Sequence, residues 1–154
     1  MTVQETGFYH LQAEPVESAL PRLLEKVRSL GFRVLIRGRT EARLEALGDA
    51  LWSFRDTSFL AHARAGDGLD VDPAQQPIFL TLEPAGNPNG ATLLVLTEDA
   101  DAPDVGDFER CLYMFDGNDE AALLAARARW KFFKEQGTPV TYYQQTGGGW
   151  EKKA

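Results

Sequence analysis

Three stretches of this chain, FRVLI (32–36), PIFLTLEP (77–84) and ATLLVLTED (91–99), are apolar through their centres with no alternation. A strand with one wet face alternates apolar and polar residues at every second position, whereas a strand covered on both faces does not. The centres VLI, IFL and LLVL therefore require a layer of structure on each side of a sheet. Sheets of that kind are largely parallel or mixed, with helices between the strands.

The intervening segments supply those helices. EPVESALPRLLEKVRSLG places Val16, Leu20, Leu23, Leu24, Val27 and Leu30 at helical spacing, with Gly31 as its stop. Pro21 fits such a helix if it falls in the first turn, where its missing N–H needs no partner. Thr40 opens a second helix over about 41–52, with Leu44, Leu47 and Leu51 inward. TGFYHL (6–11) reads as a first strand and FERCLYMFDG (108–117) as a later one. A long helix over about 118–136 follows, with Asn118 as N-cap and Asp119 and Glu120 in its first turn, and Gly137 and Pro139 end it. PVTYYQQT suggests an edge strand and the residues from about 146 to 154 a tail. The expectation is one three-layer α/β domain over residues 1–154, resembling nucleotide-binding folds.

The chemistry those folds usually carry is not written into the chain. The turn after the first strand reads QAEP, without glycines to admit a pyrophosphate, and no GxxxxGK[ST] occurs. His10 and His62 lack partners at metal-ligand spacing, so neither a metal nor any other cofactor is expected. Cys111 is the single cysteine, which excludes an internal disulfide, fits a reducing cytoplasmic setting and reads as a buried, inert thiol. No apolar run reaches the roughly 18 residues that suggest a membrane span. A nucleotide-using α/β enzyme with an unrecognised site stands as the alternative.

Charge is unevenly spread. The net charge is -7, yet the residues from 121 onward carry six basic groups against Glu135 and Glu151. So acidic a molecule repels a nucleic-acid backbone. At about 100° per residue, Arg127, Lys131, Lys134, Trp130 and Leu123 share one arc of the last helix of about 100°. Ala121, Ala125, Ala128 and Phe132 form the side expected to pack on the sheet, extended by Ala122, Ala126 and Phe133, while Arg129 lies off the basic stripe. The stripe admits three readings: a solvated surface complementing the helix dipole, a nucleic-acid contact, or a pocket for a short acidic peptide with an apolar end.

The strings FYHL, RVLIRG, LEALGDALWSF with SFLAH, FLTLEPAGNPNG, MFDGNDE with ARARWKFFKEQG, and GGGW follow one another in this order. In that order and spacing the chain resembles the chi subunit family of bacterial DNA polymerase III over nearly its whole length. The resemblance implies a non-catalytic accessory subunit that links the clamp loader to single-stranded-DNA-binding protein by gripping that protein's acidic C-terminal tail. It implies that Arg127 holds the tail's terminal carboxylate with Lys131 and Lys134 beside it. Leu123, Phe115 and Trp130 are expected to line a slot for the last side chain. Leu123 stands where some members carry lysine, which shifts this pocket from long-range attraction toward burial. The resemblance also implies a second surface around Trp52, Phe59, Leu60 and His62. Its partner there would be the psi subunit, another clamp-loader component or a repair helicase.

Overall fold

The computed structural model describes residues 5–12, 14–53, 63–64, 72–146 and 149–153, with residues 52–53 and 63–64 described by their backbone. In chain order the elements are β1 (Glu5–Leu11), α1 (Val16–Ser29), β2 (Val34–Arg37), α2 (Glu41–Ser53), β3 (Ala63–Arg64), β4 (Ile78–Thr81), β5 (Leu93–Leu96), β6 (Arg110–Asp116), α3 (Glu120–Glu135), β7 (Val140–Thr146) and β8 (Gly149–Lys152). The eight strands form one sheet in the order β3-β4-β2-β5-β6-β1-β7-β8, parallel except for the last pair.

The unalternated runs occupy the middle of this sheet. Every residue of β2, β4 and β5 is buried. Val34 and Ile36 join Ile78, Leu80, Leu93 and Val95 in a core under α1 and α2. Leu35 points the other way, among Phe79, Leu94, Leu96 and Phe108. Leu20 and Leu24 of α1 and Leu44, Leu47 and Leu51 of α2 face the first core, as their spacing predicts. The second core is roofed by α3 and by the segment from Ala100 to Phe108. The α/β three-layer expectation is met.

Three local expectations need correction. Pro21 is the sixth residue of α1, beyond the first turn. It is buried there, so its ring serves packing at the cost of one helical hydrogen bond. PVTYYQQT is not the edge strand, because Gly149–Lys152 pairs antiparallel with β7 and makes β8 the edge. Trp150 folds back edge-on to Tyr9, which itself stacks on Tyr143, with ring centroids 5.0 Å apart in each pair. The third concerns α3 and is taken up below. Cys111 meets its expectation: it is fully buried and burial pushes the thiol up to about 12.

One charge sits inside the apolar frame. Arg37, at the carboxyl end of β2, is 1% exposed. Its guanidinium donates two bonds of 2.8 Å to the Asp104 carboxylate, one of 2.9 Å to the Gly86 carbonyl and one of 3.3 Å to the Asp101 carbonyl. It also lies 5.6 Å from the Phe108 ring centroid. The Gly86 N–H closes the arrangement on Asp104 at 2.9 Å. Two long connections are thereby tied to a strand end by one bidentate pair.

Burial alone would raise the Asp104 carboxyl. The hydrogen bonds from Arg37 and Gly86 and the charge of Arg37 outweigh it and hold the group below its ordinary value. A depressed carboxyl stabilises the fold above its unfolded value, and that stability disappears as pH falls through the folded one. Chemical denaturation should therefore show stability falling below a pH of about 3.8 in the parent, with this part of the fall missing in Asp104→Asn. Asp104→Ala leaves a buried guanidinium unpaired and should cost on the order of 3 kcal/mol at neutral pH.

Candidate functional site

The basic segment forms α3, and its N-terminus is set by Asp119. That carboxylate accepts from the N–H groups of Ala121 and Ala122 at 3.0 and 3.3 Å. The expected cap, Asn118, is instead held one residue upstream, its N–H donating to Asp116 and its amide to the Gln12 carbonyl. The Gly137 stop is in place, with φ of +79° that glycine adopts without strain.

The helix is turned from the expected orientation. Ala126 and Phe133 are its buried residues, while Phe132 is 53% and Leu124 57% exposed and Ala121 and Ala128 lie on the outer surface. The reason is Arg129. Its guanidinium donates to Asp99 and to the Ala100 carbonyl, each at 3.1 Å, and spreads over the rings of Tyr113 and Phe133 at 5.4 and 5.8 Å. With that contact inside, Phe133 goes in and Phe132 goes out.

This orientation leaves Arg127, Lys131 and Lys134 on the surface. Among the described residues none of the three pairs with a carboxylate. Lys134 extends over the Trp130 ring at 5.5 Å. Trp130 is half-buried, edge-on to Phe8 at 5.3 Å and to Tyr142 at 5.7 Å. Phe115 is nearly buried, 5.1 Å from the His10 ring and 6.2 Å from Tyr142, and Leu123 is half-buried against the same core. The six residues expected for the tail site thus lie on or just under one flank of α3, over the ends of β6, β1 and β7. Trp52 ends α2, with its side chain outside the description, and Phe59, Leu60 and His62 lie outside the described residues.

Two residues that the sequence did not single out for this flank join it. His10 Nδ1 and the Tyr142 hydroxyl share a hydrogen bond of 2.5 Å. The other edge of the imidazole lies so close to Gly117 that a Cβ there would fall 1.8 Å from Nε2. Burial lowers the His10 pKa, Asp116 opposes that, and the positive charge of Arg127 lowers it further. Burial likewise raises Tyr142, and Arg127 counteracts it. The signal available beforehand was register alone: parallel pairing places His10 beside Phe115 and Gln144, two residues along from Tyr142.

A separate crevice of about 780 Å³ opens at the carboxyl ends of β1 and β6. From these neighbouring strands the chain leaves in opposite directions, β1 toward β2 and β6 toward β7. Open α/β sheets commonly bind ligands at such a switch point. Among the described residues the walls carry Glu14, Glu17, Glu98, Asp99, Asp116 and Asp119 against Arg43, which pairs with Glu17 at 2.5 Å. The carboxylates are structural. Glu98 accepts from the Arg39 and Thr40 N–H groups, Asp99 from Tyr113 and Arg129, and Asp119 caps α3. A nucleotide's phosphates would meet repulsion there.

Comparison with known proteins gives a consistent result. The family described as DNA polymerase III chi subunit, HolC, matches residues 3–141. The Pseudomonas aeruginosa protein named DNA polymerase III subunit chi is 33% identical over 121 residues, 77% of this chain and 79% of that protein. A Rickettsia prowazekii protein named probable DNA polymerase III subunit chi is 33% identical over 99 residues, 64% of this chain, and the match spans 58% of that relative's length. Among solved structures, T4 UvsW superposes with a TM-score of 0.64 over 93% of this chain and 41% of its own, at 7% identity, a likeness of fold alone.

The contact between His10 and Gly117 can be tested by itself. Gly117→Ala must displace the imidazole and should destabilise the fold by roughly 1–3 kcal/mol in urea melts. Adding His10→Ala removes the clash, so the double variant should be less destabilised than the two single effects summed.

Proposed function

Because the chain belongs to the DNA polymerase III chi subunit family, we propose that it is a non-catalytic accessory subunit linking the clamp loader to single-stranded-DNA-binding protein. It does so by holding that protein's acidic C-terminal tail against α3. The observation that carries the reading is the exposed trio Arg127, Lys131 and Lys134, without carboxylate partners among the described residues, on a protein of net charge -7. An acidic surface offers many intramolecular partners, and among the described residues these cations take none of them.

The division of labour follows from the chemistry. Arg127 presents a planar fork that matches a carboxylate, whereas the two lysines act as point charges for the acidic residues upstream. Leu123, Trp130 and the edge of Phe115 offer apolar surface to the last side chain. Burying one aromatic group contributes roughly 1.5–3 kcal/mol, and each charge-assisted hydrogen bond a similar amount. Set against ordering and lost translation, the sum is a micromolar affinity of about 8 kcal/mol. A contact of that strength releases and re-forms as the replication machinery advances.

The second surface, around Trp52, Phe59, Leu60 and His62, is proposed for psi, another clamp-loader component or a repair helicase on the resemblance alone. Against the rival reading, a nucleotide-using enzyme, stands the acidic crevice at the switch point. Calorimetric titration with a tail peptide tests the main proposal. Arg127→Ala should weaken binding at least tenfold while leaving the melting temperature unchanged, and raising salt should weaken the parent's binding. Unchanged affinity in Arg127→Ala, or equal capture of single-stranded-DNA-binding protein with and without its tail, would overturn it.

A further inference from the structure

We propose that His10 and Tyr142 complete the seat for the terminal carboxylate and make its capture sensitive to pH through His10. This rests on the tail-binding reading and deepens it, because it names two further residues and a proton.

The geometry comes from three elements meeting at one corner. β1 and β7 bring His10 and Tyr142 into a hydrogen bond of 2.5 Å. The turn after β6 presses on the far edge of the imidazole through Gly117, so the ring has no room to turn away. From α3, Trp130 packs edge-on to Tyr142 at 5.7 Å, and Arg127 acts electrostatically on both His10 and Tyr142. The pair therefore lies within the field of the cation assigned to the carboxylate. Nδ1 is engaged by Tyr142 and the Nε2 edge lies against Gly117, so the imidazole acts through the phenol: once protonated, its Nδ1–H donates to the Tyr142 oxygen and leaves the hydroxyl free to donate to the carboxylate.

The ionisable groups bearing on His10 are Asp116 from β6, Tyr142 from β7 and Arg127 from α3. In the free protein, burial and then Arg127 favour the neutral ring, and Asp116 opposes them. A carboxylate bound to Arg127 offsets the guanidinium's positive charge at the ring and leaves Asp116 as the neighbouring charge that acts on it. The ring then takes up a proton more readily in the complex than in the free protein. By linkage, binding must strengthen as pH falls through the range where His10 titrates. The ligand's own carboxylates, with pKa values of about 4 or below, remain ionised above a pH of about 5.5.

The test is fluorescence anisotropy with a labelled acidic peptide ending in phenylalanine with a free carboxylate, from pH 8 to pH 5.5, at fixed ionic strength. The parent should bind about three- to tenfold more tightly at the lower pH. His10→Gln keeps a partner for Tyr142 but cannot titrate. Its binding should show a flat profile across this pH range, whatever its affinity at pH 8. Tyr142→Phe should weaken binding at both ends of the range. A peptide with an amidated C-terminus should bind weakly and without pH dependence. NMR titration of the His10 ring gives an independent reading, and its pKa should rise when peptide is added. The proposal is overturned if His10→Gln keeps the parent's pH profile, or if the ring pKa does not move on binding. In either case an intact effect of Arg127→Ala would leave the tail site standing. Absence of peptide binding at any pH would remove both.

Discussion

The central strands have no polar side. Because β2, β4 and β5 are buried along their whole length, both faces of the sheet centre must be covered, and polar chemistry is confined to strand ends and to the outer surfaces of helices. Arg37 is the exception that follows the rule, since it emerges from the last residue of β2 and meets a carboxylate and two carbonyls there. The same confinement produces the acidic rim at the carboxyl end of the sheet. Its carboxylates are consumed in holding backbone turns and capping α3.

Within that frame α3 is the element whose orientation matters most, and burial of Ala126 and Phe133 sets it together with the contact of Arg129 to Asp99. Asp99 and its neighbour Glu98 hold left-handed backbone, with φ of 54° and 56°, a conformation that costs a non-glycine residue about 1 kcal/mol. That strained turn is what puts the Asp99 carboxylate under the helix. With Arg129 drawn in, Arg127 and Lys131 are turned out and Trp130 becomes the wall between them and the core. The basic flank is thus a by-product of an anchor two residues away from it.

The architecture was legible in the chain because burial on both faces erases alternation, and the runs around Leu35, Leu80 and Leu94 display this plainly. That Arg127, Lys131 and Lys134 lie together on an exposed face was legible as well, since they share an arc on any helix. Which arc of α3 would be buried was not legible. Alanines occupy both candidate faces and Phe132 and Phe133 stand side by side, so the sequence offers no contrast, and the deciding contact joins residues thirty positions apart. Asn118 and Asp119 are equally competent caps, and only the bond from Asn118 to the Gln12 carbonyl separates them. His10 and Tyr142 are distant in sequence and ordinary in type, and only parallel pairing brings them together. The pairing of Gly149–Lys152 with β7 was not legible because the ring contact that fastens Trp150 lies on β1.

The strand order has a consequence for how the molecule comes into being. β1 leaves the ribosome before the other strands of this sheet, yet its two neighbours, β6 and β7, span residues 110–146. For most of translation it has no mate, and its apolar residues and unsatisfied amides must be kept from other chains. Closure of the sheet around β1 waits on residues 110–146. Such a fold is completed late and all at once, with the last segments synthesised locking the earliest one into place.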